Sequence, residues 1–200
     1  MQAELVLLRI RMLRDAAAHM DADCRAFCDA APVPLQRVRV AAAASPAMAY
    51  LYLQPAKAMA ADALQALTEA FAQRCDWAGE VLASQLEPVF DAAGASAGEP
   101  AAFHYVVEMD PEPGWMPELS RWYDTEHMPG LAAVTGCVRA RRFLNRGNGP
   151  LSLACYDLVS EETLGSAAWL AVRATRWSDI ARPHFMNTRR TMFRVPPRAP

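Results

Sequence analysis

The sequence predicts an α+β fold made of two units in tandem, each with the element order β-α-β-β-α-β. Three observations lead to this prediction. The C-terminal half alternates strand and helix patterns in that order, and the N-terminal half repeats the order more faintly. A stretch rich in small residues, glycine and proline separates the halves at 91–100. We therefore expect one unit over residues 1–95 and a second over residues 96–200.

The C-terminal half shows the pattern more clearly. Its first segment is apolar and rich in aromatic and β-branched residues, which is typical of a strand. Leu119, Trp122 and Tyr123 then recur at helical spacing, and Ser160 can cap a second helix. Glycine, asparagine and proline at 146–150 are typical of a hairpin turn. The predicted elements are a strand at 103–109, a helix at 117–129, strands at 138–144 and 151–158, a helix at 161–176 and a strand at 188–195.

The N-terminal half repeats this order with weaker signals. A β-α-β-β-α-β unit is ferredoxin-like, with helices on one face of its sheet and the other face bare. Two such units can cover their bare faces by packing sheet to sheet. The sequence therefore predicts a single-chain version of the dimeric α+β barrel. The predicted elements of this half are a strand at 4–13, a helix at 16–30, strands at 35–41 and 48–53, a long or broken helix at 60–86 and a short strand at 88–91.

The composition is that of a folded protein and argues against several kinds of partner. Hydrophobic residues make up 53% and charged residues 21% of the 200 residues. A formal net charge of −2 gives no electrostatic case for nucleic acid or an anionic membrane. The N-terminus lacks the basic start of a secretory signal, and no apolar stretch approaches the ~18 residues of a membrane-spanning helix. We expect a cytoplasmic protein with no nucleic-acid partner and no membrane contact.

The five cysteines are odd in number and scattered along the chain. Cys24 and Cys28 lie in a helical pattern without further ligands at the spacing of a zinc site. This arrangement favours reduced thiols over disulfides or a metal site. We expect no metal and no cofactor.

The segment 122–130 concentrates more side-chain chemistry than any other stretch. It contains two aromatic rings, two carboxylates, an imidazole and a Pro-Gly pair. At about 100° per residue, Trp122, Tyr123 and Glu126 share one side of the predicted helix, with His127 at its flank. A carboxylate on an apolar face must be protonated or paired with a cation. The candidate partners are Arg139, Arg141 and Arg142, on the predicted strand that follows.

Each of these side chains has a structural and a functional interpretation, and the sequence leaves both open. Glu126 is either half of an ion pair between helix and strand or a carboxylate of raised pKa beside a pocket. His127 is either an imidazole stabilised by the helix end or a pocket acid, base or hydrogen-bond donor. Trp122 and Tyr123 are either core anchors or walls for a ligand. His104, in the first strand of this half, is a further candidate for the same pocket.

Three groups of residues in the C-terminal half match a known pattern. They are Arg121-Trp-Tyr-Asp-Thr-Glu-His-Met-Pro-Gly-Leu131, Val134-Thr-Gly136 and Arg139-Ala-Arg-Arg-Phe143. Through them the segment 118–194 resembles the EthD-like family of the dimeric α+β barrel superfamily. The resemblance implies a ferredoxin-like fold and pairwise barrel assembly.

The N-terminal half lacks this pattern. Alignment of its first helix on the motif brings alanine and phenylalanine to the positions of the aromatic, acidic and imidazole side chains. The resemblance therefore implies one site, in the C-terminal unit, and a degenerate N-terminal unit that serves as a scaffold. The residues at the four motif positions are Ala26, Phe27, Ala30 and Ala31.

The resemblance also implies a class of chemistry, although most EthD-like proteins have no assigned reaction. Relatives in the wider superfamily include cofactor-free monooxygenases, muconolactone isomerases and polyketide cyclases, which act on small, flat, oxygenated molecules. One hypothesis is cofactor-independent proton transfer, isomerisation or oxygenation of a small aromatic or enol compound. The alternatives are a non-catalytic protein that binds a small metabolite and an assembly protein, with a homodimer of the two-unit chain as one assembly. Whether the protein is an enzyme stays open at this point.

The catalytic hypothesis assigns roles to particular residues. His127 moves a proton and Glu126 orients it. Arg141 or Arg142 holds an anionic or carbonyl oxygen of the ligand. The remaining expected substrate-binding residues are Trp122, Tyr123 and His104.

Overall fold

A computed structural model describes residues 4–31 and 34–196, which form eight strands and six α-helices. These elements fall into two compact units. Unit 1 holds the described residues up to Glu87, together with Asn145–Asn148 and the residues from Phe193 onward. Unit 2 holds Pro88–Leu144 and Gly149–Met192.

Unit 1 has the predicted element order β-α-β-β-α-β. In chain order the elements are β1 (Leu5–Met12), α1 (Met20–Asp29), β2 (Leu35–Ala43), β3 (Met48–Pro55), α2 (Ala61–Arg74) and β4 (Ala78–Ala93), of which the last six residues belong to unit 2. The sheet is antiparallel, with the strand order β4-β1-β3-β2. Leu8 of β1 lies opposite Leu51 of β3 and Ala83 of β4. The arrangement is a ferredoxin-like unit.

The core of unit 1 lies between this sheet and its two helices. Leu8 and Ile10 face the core from β1, because side chains of a strand alternate between its two faces. Phe71 of α2 packs edge-on against Phe27 of α1, with ring centroids 4.9 Å apart, and against Trp77, at 5.7 Å. These aromatic contacts fix both helices on one face of the sheet.

Unit 2 has the same order of strands, with more broken helices. Its elements are β5 (Phe103–Pro111), α3 (Met116–Trp122), α4 (Met128–Ala132), β6 (Cys137–Gly147), β7 (Ser152–Leu158), α5 (Ala167–Arg173), α6 (Arg176–Ala181) and β8 (Phe185–Arg194). A π-helix at Tyr123–His127 joins α3 to α4, and 3₁₀ turns lie at Glu161–Gly165 and Arg182–His184. The strand order is β8-β5-β7-β6. In the central antiparallel pair, Val106 of β5 lies opposite Cys155 of β7.

The core of unit 2 also lies between a sheet and its helices. Tyr156 of β7 contacts Trp169 of α5 edge-on, with ring centroids 5.2 Å apart. Its hydroxyl lies 3.0 Å from the sulfur of Met128 on α4. Trp122 and Leu119 of α3 complete this apolar layer and are about 1% exposed. The helix motif identified in the sequence is therefore placed directly over the sheet.

Two predicted helices are wrong in extent. The helix predicted at 60–86 ends at Arg74, and 78–93 is the long strand β4. The alanine and leucine content of 78–86 favours a helix locally, but pairing with β1 overrides that preference. The helix predicted at 161–176 is divided because Ser166 caps α5 and Thr175 caps α6. The other predicted strands and helices of the described residues are confirmed within a few positions.

All five cysteines are free thiols, as predicted. In the described part of the chain, no helix is both long enough and apolar enough to cross a bilayer. Residues 4–31 and 34–196 also contain no group of three His, Cys, Asp or Glu side chains placed to hold a metal ion.

Candidate functional site

The helix that carries the sequence motif widens into a π-helix at its centre, Tyr123–His127. The amide of Met128 donates to the carbonyl five residues earlier instead of four. Two neighbours favour this wider turn. Pro129 has no N–H to offer an α-helical carbonyl, and the Thr125 hydroxyl donates to the carbonyl of Arg121 at 2.7 Å. Single π turns of this kind often mark functional sites.

The π-helix changes which side chain of the motif faces the sheet. A uniform 100° per residue places Glu126 among the apolar residues and His127 at their flank. In the structure His127 is only 8% exposed, whereas Glu126 is half-buried. The extra residue in the turn rotates the following side chains by about one position. Of these two groups, the imidazole is therefore buried and the carboxylate is not.

His127 lies on a small cavity between the sheet and the helices of unit 2. The cavity has a volume of about 30 Å³. This is room for a few ligand atoms, since a single water needs roughly 10–15 Å³ on this measure and drug-sized ligands need several hundred. The lining residues are Tyr105, Val107, Trp122, Tyr123, His127, Leu131, Tyr156, Trp169, Arg173, Arg182, Phe185 and Arg190.

The surroundings of His127 keep its imidazole uncharged. The ring stacks on Trp122, with centroids 4.2 Å apart and an interplanar angle of 22°, and its Nδ1 has no hydrogen-bond partner. Burial, followed by the positive charges of Arg182 and Arg173, lowers the pKa of His127 to about 3. At neutral pH the ring is therefore a neutral group that can accept a proton or share a hydrogen bond.

Four residues that line this cavity carry a buried nitrogen without a hydrogen-bond partner. The atoms are Trp122 Nε1, His127 Nδ1, Trp169 Nε1 and Arg182 Nη2. These four atoms lie on residues that line one cavity. Buried polar groups without partners are rare in folded proteins and call for an explanation such as a bound ligand. The indole and guanidinium nitrogens are donors only, so their missing partner is an acceptor.

Three arginines lie on the cavity from three different elements. Arg173 is the last residue of α5, Arg182 begins the 3₁₀ turn after α6, and Arg190 is on β8. Arg173 and Arg182 are half-buried and Arg190 is exposed. The cavity therefore combines a buried aromatic side, near His127, with a basic side that reaches solvent.

Glu126 is not one of the described residues that line the cavity. Its carboxylate instead accepts a hydrogen bond at the start of a neighbouring helix. The Thr175 hydroxyl donates to Glu126 Oε1 at 2.6 Å and accepts the amide of Ser178, as the N-cap of α6. α6 leads directly into Arg182. Glu126 thus fixes the start of the segment that brings this arginine to the cavity.

The two arginines expected to bind substrate have carboxylate partners. Arg142 is 2% exposed, forms an ion pair with Asp124 at 3.0 Å, and lies over the Tyr123 ring at 5.2 Å from its centroid. Arg141 is 6% exposed and lies 3.7 Å from Asp157. Neither is among the lining residues of the cavity. In this structure Arg142 holds a cavity wall in place through Tyr123.

His104 lies on the opposite face of its strand from the cavity. Its neighbour Tyr105 lines the cavity, and adjacent residues of a strand point to opposite faces. His104 is fully buried, and its Nδ1 is 2.7 Å from Asp157 Oδ1. Unlike His127, it has its hydrogen-bond partner within the protein.

The sequence motif predicts Trp122, Tyr123 and His127 as residues of one site. The cavity also has four lining residues that the sequence did not predict, namely Trp169, Arg173, Arg182 and Arg190. The missed residues follow the motif by more than 35 positions, and only the fold places them beside it. A weak signal was present, since Arg182 belongs to the Arg-Pro-His-Phe stretch before the last strand. No spacing rule connects that stretch to the motif.

No protein-family model matches the chain, and no curated protein is similar to it in sequence. Several solved structures do share its fold. A provisionally assigned monooxygenase of Fusobacterium nucleatum matches with a TM-score of 0.66 at 10% identity, covering 98% of this chain and 94% of that one. An anthrone oxidase-like protein matches with a TM-score of 0.63 at 14% identity, covering 97% and 92%. A chlorite dismutase of Candidatus Nitrospira defluvii matches at 0.63 and 8% identity, covering 97% and 91%.

These neighbours share the ferredoxin-like, dimeric α+β barrel fold. This confirms the fold class that the sequence and its resemblance to the superfamily predict. The EthD-like branch itself is not named among them. Their different names show that one fold carries different activities, and at such low identity the likeness extends to the fold alone.

Proposed function

We propose that unit 2 binds a small oxygenated molecule in the cavity beside His127 and exchanges a proton with it. The observation that carries this proposal is the group of buried nitrogens without partners on the cavity residues. Leaving such groups unpaired costs roughly 1–3 kcal/mol each. A ligand oxygen among them offsets that cost and supplies the acceptor that the protein does not provide.

His127 is the proposed proton carrier. Burial and the adjacent arginines lower its pKa to about 3, so the imidazole of the empty site is uncharged and a weak base. Negative charge on a bound ligand would offset the arginines and raise this pKa, which makes His127 a stronger base in the complex. When it removes a proton from a hydroxyl or an acidic C–H, negative charge develops on the ligand oxygen. The indole N–H groups of Trp122 and Trp169 and the guanidinium of Arg182 are the proposed donors to that oxygen.

The reaction class that fits these groups is cofactor-independent proton transfer on a small enol or phenol, leading to isomerisation or oxygenation. Two of the structural neighbours are named as a provisional monooxygenase and an anthrone oxidase-like protein. Trp122 and Tyr123 form the proposed apolar walls. Glu126 acts as a positioning residue through Thr175 and α6, in addition to its place beside His127 in the chain.

One observation favours a second candidate, a binding protein without turnover. The cavity volume of about 30 Å³ accepts the polar group of a ligand but no complete aromatic ring. A larger ligand requires movement of side chains such as Phe185 or the exposed Arg190. If they stay in place, the site takes only a molecule of a few atoms, and sensing or sequestration is the simpler role.

Binding and turnover can be tested on the same panel of compounds. We would measure the Tm of the wild type with catechol, hydroquinone, acetylacetone and acetate, and then follow deuterium exchange and oxygen uptake for every compound that binds. Loss of the base in His127→Asn is expected to slow turnover about 100-fold or more. His19→Asn, at a partly exposed histidine of unit 1, is the matched control and should leave the rate unchanged.

Three results separate the candidates. A rate lost only in His127→Asn supports proton transfer. Binding without exchange or oxygen uptake, weakened in His127→Asn, supports the binding protein. A rate that is equal in His127→Asn and the wild type, or the absence of any binding compound, contradicts the proposal.

A further inference from the structure

The three arginines of the cavity form no ion pair with the described residues. No carboxylate oxygen of the described residues lies within 4.0 Å of Arg173, Arg182 or Arg190. By contrast, eight other arginines of the described chain have such a partner. These are Arg14, Arg25, Arg37, Arg121, Arg139, Arg141, Arg142 and Arg146. The exposed Arg11, Arg74, Arg176 and Arg189 have no such partner either, but none of them lines this cavity. Arg173, Arg182 and Arg190 differ from them because they lie together around one cavity.

The arrangement is unfavourable for the empty site. Arg182 is half-buried and its Nη2 is a buried donor without a partner. Burial, followed by the charge of Arg173 and, more weakly, that of Arg190, lowers the pKa of Arg182 below its usual range. Asp179 acts in the opposite direction but forms no ion pair with it. Like charges held together without a counter-ion destabilise the free protein, and a bound anion reverses the sign of that interaction.

We infer that the ligand of this cavity is an anion whose planar oxyanion group, such as a carboxylate, is bound by Arg182 with Arg173 and Arg190. The inference rests on the proposed function, since it names the class of molecule that the cavity takes. A guanidinium presents its N–H donors in a flat fork that matches the two oxygens of a carboxylate. The neutral donors of Trp122 and Trp169 add to the same acceptor requirement.

The size of the cavity agrees with this assignment. A volume of about 30 Å³ accommodates a group of a few atoms, such as a carboxylate. The remainder of a larger ligand would extend toward solvent on the side of Arg190, which is exposed. The charge of the ligand is therefore recognised more strictly than the shape of its body.

The experiment compares an anionic probe with its neutral isostere. Isothermal titration calorimetry would measure Kd for benzoate and benzamide, and for acetate and acetamide as smaller pairs. The variants are Arg182→Gln and Arg173→Gln. Arg176→Gln is the matched control, because Arg176 is an exposed arginine of the same segment that does not line the cavity.

The inference predicts that the carboxylates bind wild type more tightly than the amides, by about tenfold or more. Arg182→Gln should remove most of this difference, Arg173→Gln part of it, and Arg176→Gln none. The ligand-free Arg182→Gln protein should have a Tm equal to or above that of the wild type, because the substitution removes an unpaired cation.

Two other outcomes are distinguishable. Equal binding of acids and amides, weakened equally by Arg182→Gln, overturns the anion assignment and leaves the small-molecule site intact. Binding of neither class in the wild type contradicts the proposed function and the inference with it.

Discussion

The two units have the same order of strands but differ in the hydrogen bonding of their buried tryptophans. In unit 1, Trp77 donates its indole N–H to Asp23 at 2.9 Å. In unit 2, the indole nitrogens of Trp122 and Trp169 are equally buried and have no partner. A scaffold satisfies its buried donors internally, whereas a binding site keeps donors free for a ligand. This difference supports the proposed site in unit 2.

Cavity size alone would not single out the cavity beside His127. Unit 1 has a groove of about 480 Å³ between α1 and α2, far larger than the cavity beside His127. Its lining is mostly alanine, with Phe27, Met59 and Leu67, and its polar members Gln73 and Arg74 are exposed. A ligand site needs polar groups that converge on the ligand as well as space. Only the smaller cavity combines a buried imidazole with donors that lack partners.

The largest expected effect separates the two buried histidines of unit 2. His104→Leu removes the contact of Nδ1 with the buried Asp157 carboxylate at 2.7 Å, which should cost about 3–5 kcal/mol of unfolding free energy. His127→Phe keeps the ring stack on Trp122 and removes no hydrogen bond of Nδ1, so it should cost much less than that. Urea denaturation of both variants at pH 7.5 measures the difference. Equal losses would show that His127 is as firmly satisfied as His104.

The next effect is a pH dependence that belongs to His127. Its pKa is about 3 in the folded protein and about 6.5 when unfolded, so between these values the unfolded state binds more protons. The contribution of the neutral ring to the free energy of unfolding is fully present above pH 6.5 and is lost as the pH falls toward 3. The loss at pH 5 should be about 2 kcal/mol. Denaturation of the wild type and His127→Phe at pH 7.5 and 5 should give a smaller change for the variant, and identical changes would contradict the assignment.

A smaller effect compares tryptophans across the units. Trp77→Phe and Trp122→Phe remove the same indole from equally buried positions, but only the first breaks a hydrogen bond. In the ligand-free protein, Trp77→Phe should therefore be less stable than Trp122→Phe by about 1 kcal/mol. Thermal unfolding of the two variants gives the comparison. Greater damage from Trp122→Phe would mean that its N–H has a partner inside the protein.

The smallest expected effect concerns Glu126. Glu126→Gln keeps an oxygen that can accept the Thr175 hydroxyl, so the loss of stability should be about 0.5 kcal/mol or less. Turnover of any substrate found for the wild type should change little, and the pH dependence of His127 should be preserved. Glu126→Ala, which removes the acceptor, is the informative contrast. A hundredfold loss of rate in Glu126→Gln would restore a direct catalytic role to the carboxylate.

Much of the fold follows from local patterns in the sequence. The apolar, aromatic and β-branched residues of 103–109 predict strand β5, the strand predicted at 151–158 is β7, and Ser160 caps a helical turn as predicted. Only the end of strand β4, at 88–91, is predicted as a strand, because the alanines and leucines of 78–86 favour a helix locally and pairing with β1 overrides that preference. Local preference therefore predicts an element well only where tertiary pairing agrees with it.

The candidate site is only partly predictable for two physical reasons. A helical wheel assumes a constant turn, and the π-helix around Thr125 exchanges the places of Glu126 and His127. Adjacent residues of a strand point to opposite faces, so His104 and Tyr105 cannot both line the cavity. Arg182 reaches the cavity through packing between distant segments, which no local pattern encodes.

The proposal requires that the indole N–H groups of Trp122 and Trp169 donate hydrogen bonds to an oxygen of the ligand. The most direct measurement is a ¹H–¹⁵N spectrum of the indole groups during titration with benzoate. We predict downfield shifts of the Trp122 and Trp169 Nε1–H signals, while the signals of Trp77 and Trp177, whose indoles already donate to Asp23 and Glu118, stay in place. Unmoved Trp122 and Trp169 signals at saturating benzoate, or equal shifts in all four, would contradict the claim.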